Sequence, residues 1–170
     1  MSAPGSAAPS GGSAANRAEL MAAEDAGWSE LHSLVDSLSP EELERPGYYP
    51  EGWSVKDLVA HVGSWLAESG VILDRIRVGA YRTEEIDVDA LNQQFLEAMK
   101  DVPTEVVRAQ ASAARARVLQ AWGALPALTE EAAFWISKAG AEHYAEHLPR
   151  LRKWVSQLRE ERSGPDQRRS

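Results

Sequence analysis

Apolar residues recur at intervals of three and four along most of the chain, and no stretch of strand length alternates with period two. This regularity excludes sheet architectures, because a strand turns alternate residues to a core and a helix turns every third or fourth. From about Asn16 to Leu38, the residues Trp28, Leu31, Val35 and Leu38 make one stripe. "SPEELERPG" closes that segment: Ser39 and Pro40 can start a single short turn, and Pro46-Gly47 breaks the chain.

The next helix begins in "GWSVKDLVAHVGSW", where Ser54 is placed to be an N-cap and Asp57 the acid of a capping box. Its stripe reads Leu58, Val62, Trp65, Ser69, Ile72 and Ile76, and Gly79 can stop it. "TEEIDVDALNQQFLEAMKDVP" holds a helix with Leu91, Phe95 and Met99 inward, and Pro103 either kinks it or is the first residue of a new one. Thr104 to Leu125 is alanine-rich, with Val107, Ala111, Ala114, Val118 and Trp122 on one face. Small residues there permit close approach of a neighbour. In the last helix Thr129 is the expected N-cap and the inward stripe is Ile136, Gly140, His143, His147, Leu151, Trp154 and Leu158. Pro149 lies inside that stretch and is expected to bend or break it.

Long amphipathic helices without strands specify an all-α fold, a four-helix bundle. A chain of 170 residues can bury a core as one domain. The bundle is expected over 16–160. Residues 1–15, rich in Ser, Gly, Ala and Pro, and residues 161–170 are expected to be disordered tails, since neither can bury enough to offset ordering.

Composition narrows the chemistry. There is no cysteine, so disulfides, thiolate metal sites and a cysteine nucleophile are all excluded. The net charge of -8 disfavours a nucleic-acid partner. Basic residues gather only near the C-terminal end, where they oppose a helix dipole. No apolar run is long enough for a membrane span, and the N-terminal stretch lacks the charge and apolar core of a secretory signal. A cytoplasmic protein is the expectation.

Four histidines remain to be explained. His143 and His147 are four apart, one helical turn, and occupy successive positions on an apolar stripe. His61, three after Leu58 and four before Trp65, is placed similarly. A hydrogen-bonded core pair would account for two buried imidazoles, but three are harder to satisfy. A divalent cation satisfies all three and leaves a position open for water or substrate, as in catalytic zinc sites. His32 falls beside its stripe, at the surface or boundary. The segment "HYAEH" is not H-E-x-x-H, so its glutamate leaves another face. Glu68, Glu142 and Glu146 are candidates to support ligands or act as bases, and each is equally explained as solvated or ion-paired.

"PEGWSVKDLVAHVGSW" and "GAEHYAEHLPRLRKW" together resemble the DinB/YfiT-like superfamily of four-helix bundles, over roughly residues 16 to 158. A Gly-Trp-Ser opening into the second helix, a histidine near its second turn and an H-x-x-x-H pair in the last helix carry the resemblance. It implies a metal-binding bundle, often a homodimer, with zinc or nickel on His61, His143 and His147. Several such proteins transfer thiol cofactors such as mycothiol or bacillithiol, or isomerise small acids with a thiol's help. A neighbouring branch contains self-resistance proteins that inactivate reactive electrophiles. The second domain of some isomerase members is not evident in this chain.

Two function classes follow: a metal-dependent transferase or hydrolase acting on a small molecule, or a bundle that sequesters one. A bundle serving dimer-mediated interaction is a third. In the first, Trp53, Trp65 and Tyr144 are candidate pocket walls, and metal affinity is expected to fall near pH ~6.5, where free imidazoles titrate.

Overall fold

The computed structural model describes residues 11–164 and contains seven helices and no strand among them. They are α1 (Gly11–Asp36), α2 (Pro40–Glu44), α3 (Val55–Arg77), α4 (Val88–Met99), α5 (Thr104–Gly123), α6 (Glu130–Ala139) and α7 (Ala141–Ser163). Four are long and form the expected bundle: α3 packs along α5, and α1 along α7. The expected tails lie largely outside the described residues. The backbone of α1 is already helical from Gly11, and α7 runs on to Ser163.

Helix starts follow local chemistry. The Ser54 hydroxyl accepts from the Asp57 N–H, and Asp57 Oδ2 accepts from the Ser54 N–H at 2.8 Å, so two orphan donors of α3 are met. Ser39 and Glu42 repeat the device at α2. Thr129 caps α6 as expected. Asp87 caps α4. Pro103 is the residue before α5, neither a kink nor a first helical residue.

The core is built from the stripes. Leu31, Val35, Leu58, Val62, Val107, Trp122 and Leu151 are each about 1% exposed or less. Burying such a side chain contributes about 1.5–3 kcal/mol. At the α3–α5 contact, a Cβ added to Gly63 would lie 2.9 Å from both Cα and Cβ of Ala111. The small residues do bring these two helices together.

Two expectations change. The break in the last segment falls at Gly140, not Pro149. A Cβ at Gly140 would meet the Ile136 carbonyl at 2.7 Å, so the turn out of α6 demands glycine, and Glu24 Cγ of α1 at 3.2 Å narrows the space further. Pro149 is inside a continuous α7. It and Ala145 lie on the exposed face, where water can take the carbonyl that a missing N–H leaves. The second change is α4. Leu91, Phe95 and Met99 are only half-buried, and no residue of this helix is fully buried. It lies against α3 as a peripheral wall.

Candidate metal centre

His61 comes from the second turn of α3 and His143 and His147 from the first two turns of α7. The structure brings all three together: one nitrogen from each lies within 4.8 Å of the others. His61 Nε2 and His143 Nε2 are 2.8 Å apart. His61 and His143 are buried and His147 is half-buried. His32 stays apart, half-buried and stacked on Trp28 with 4.1 Å between ring centroids.

Burial sets the protonation of the cluster. It lowers the pKa of His61 to about 4, with His147 adding repulsion. It lowers that of His143 to about 3 and that of His147 to about 4. All three rings are therefore neutral at pH 7, each with a lone pair on one nitrogen. The chemistry of this donor set fits a divalent cation: three neutral imidazoles, no lysine or arginine among them, and an open side. The Nε2 atoms of His61 and His143 face each other at 2.8 Å, and an ion between the rings could take both lone pairs at once.

The segment before α3 supplies a residue that the sequence did not signal. Tyr49 Oη lies 3.0 Å from His147 Nδ1. With that Nδ1–H donating to the phenol, Nε2 keeps its lone pair free. Tyr49 is held in turn by a tight turn, in which the Gly52 N–H donates to its carbonyl at 2.9 Å. Gly52 has φ 96°, a conformation that favours glycine. The Arg150 guanidinium sits 4.3 Å from the centre of the Tyr49 ring.

Above the three imidazoles opens a cavity of about 1180 Å³. Its walls come from the loop before α3, from α3, α4 and α6, and from the segment joining α3 to α4. Trp53 and Trp65 line it as expected. The Trp65 indole N–H donates to Asn92 Oδ1 at 2.8 Å, which ties α4 to α3. Tyr144 does not line it. One residue beyond His143, it turns about 100° away, is fully buried, and its hydroxyl donates to Glu24 Oε1 at 3.0 Å. Of the three glutamates singled out, Glu146 lines the cavity, whereas Glu142 is bonded to Lys138 and Ser137 on the surface. Glu68 is half-buried outside it.

A helical bundle with three converging imidazoles, two buried and one half-buried, under an open cavity belongs to the class of α-domains whose facing helices could hold a metal ion. Residues 25–154 match the mycothiol maleylpyruvate isomerase N-terminal domain family, and the chain belongs to that family, in keeping with the DinB/YfiT-like motifs. Its fold is similar to that in a crystal structure of an uncharacterised protein from Escherichia coli UTI89. The TM-score is 0.72 at 20% identity, covering 84% of this chain and 94% of that one. No curated protein matches the chain.

Proposed function

We propose that the chain is a metal-dependent transferase or hydrolase. In this reading His61, His143 and His147 hold a divalent ion, zinc or nickel, and the nucleophile is water or a low-molecular-weight thiol of the mycothiol or bacillithiol type. The observation that supports it is the convergence of three neutral imidazoles, two of them buried, beneath a cavity large enough for a substrate. Family membership supports the thiol. When bound, the ion supplies a positive charge that brings a coordinated water to a pKa near ~7 or ionises a coordinated thiol.

The protein's own groups do the rest. Tyr49 orients His147. The Trp53 indole lies beside the His61 ring, with 5.6 Å between centroids. The absence of cysteine means that a thiol nucleophile has to arrive with a cofactor. A reducing cytoplasm suits that requirement. The resemblance also brings a homodimer into this reading, and light scattering measures it.

Metal analysis of untagged protein is the test, followed by a mass-spectrometric screen for thiol adducts of model electrophiles. Stoichiometric metal that is lost in His147→Ala, together with adduct formation, is the expected result. A metal-free protein under replete conditions overturns the reading. The volume and aromatic lining of the cavity favour a second one, sequestration of a small molecule without turnover. Tight ligand binding without metal or adduct would establish it.

A further inference from the structure

The walls of the cavity carry a chemical preference separate from the three imidazoles. Aromatic rings come from several elements: Tyr49 and Trp53 from the loop before α3, Trp65 from α3, Tyr81 from the segment after it, and Phe134 and Trp135 from α6. The rings are braced in place. Trp65 meets Phe95 edge-on with centroids 5.5 Å apart, and the Trp135 N–H donates to the Tyr81 hydroxyl at 3.2 Å. At the rim, Val88 and Phe134 are large apolar side chains 49% and 52% exposed. Fixed ring faces around an open space suit a flat, extended, aromatic guest.

Charge selects further. Five carboxylates line the cavity, on Glu51, Asp57, Glu84, Glu97 and Glu146, against two ammonium groups, on Lys100 and Lys138. Neither lysine is free: Lys100 is paired with Glu97 at 2.7 Å, and Lys138 with Glu142. Glu51, Glu84 and Glu146 have no ion pair among the described residues. No arginine lines the cavity. The nearby Arg150 is turned onto the Tyr49 ring and donates to the Tyr48 carbonyl. Apart from an ion held by the imidazoles, an anionic guest would meet net negative walls whose two lysines are already paired.

We infer that this cavity takes an extended aromatic ligand bearing no negative charge, and that its walls select against small organic acids. The inference rests on the proposed function in one respect, that the cavity above the imidazoles is where a substrate sits. It adds the chemical class of that substrate.

Two fluorescent probes test it, N-phenyl-1-naphthylamine and 1-anilinonaphthalene-8-sulfonate, which share an aromatic frame and differ by one sulfonate. Both are titrated into the full chain as purified and after chelation. After chelation the neutral probe is expected to bind at least about ten-fold more tightly, since like charge on the walls opposes the sulfonate. Phe134→Ala, at an exposed position with little bearing on folding, is expected to weaken the neutral probe roughly three- to ten-fold. The double change Glu51→Gln and Glu146→Gln is expected to raise affinity for the sulfonate alone. Equal or tighter binding of the sulfonated probe after chelation overturns the inference. So does neutral-probe binding that Phe134→Ala leaves unchanged. The outcomes are separable from the metal reading: a protein without metal that still prefers the neutral probe loses the proposed catalysis and keeps this selectivity. Stoichiometric metal beneath a sulfonate-preferring cavity does the reverse.

Discussion

A single hydrogen bond decides which nitrogen of His147 is offered to a ligand, and its partner is Tyr49. Tyr49→Phe removes the acceptor and leaves the ring packing. It is expected to lower metal affinity by about 10- to 100-fold, read by chelator competition, with unchanged circular dichroism. Protonation of the cluster gives a second prediction. All three imidazoles have pKa values lowered in the fold, to about 4, 3 and 4, against about 6.5 in an unfolded chain. Between those limits the unfolded state binds more protons, so stability of the metal-free protein is full above pH ~6.5 and is lost as pH falls towards ~4. Urea midpoints from pH 7 to 4 measure it, and a flat profile contradicts buried neutral rings. The same shift carries the loss of metal affinity below the pH ~6.5 that free imidazoles suggest. The histidines were legible because a polar ring on an apolar stripe is an anomaly. Tyr49 was not, since it lies in an irregular loop whose approach to α7 no periodicity encodes.

Among the elements, α3 and α5 are joined most closely, and Gly63 sets their distance. Gly63→Val forces a branched side chain against the Ala111 backbone and is expected to destabilise by about 1–3 kcal/mol, measured by denaturant midpoint. Gly79→Ala is no control, because its φ of 70° strains any side chain. Gly123→Ala is suitable, since nothing lies within 4 Å of its added Cβ. α4 stands at the other extreme. It buries no residue fully, so its amides are expected to exchange well before those of α3 in hydrogen-exchange mass spectrometry. Helix positions and caps were readable, because stripe and cap chemistry are local. The break at Gly140 was not, because the apolar stripe runs on across it, while the backbone turns there at a position where a side chain would strike the Ile136 carbonyl.

Across the whole molecule, one buried cluster ties three long helices. Glu24 of α1 is 2% exposed and accepts from Arg115 of α5 at 2.7 Å and from the Tyr144 hydroxyl of α7 at 3.0 Å. Arg115 also lies over the Trp28 ring, 5.2 Å from its centre. Arg115→Met leaves the carboxylate without its cation and is expected to cost about 3–5 kcal/mol. Adding Glu24→Gln should recover part of that loss in thermal melts. Nothing in the apolar stripes singled out this pair. Periodicity tells a helix which face turns inward, but not which neighbour it meets, so bundle class was legible and helix pairing was not. No described helix is long and apolar enough to cross a membrane. The slight attachment of α4 has a consequence for what the chamber can do. A side held this lightly can swing outward without disturbing the long helices, so passage into and out of the chamber is separable from the stability of the bundle.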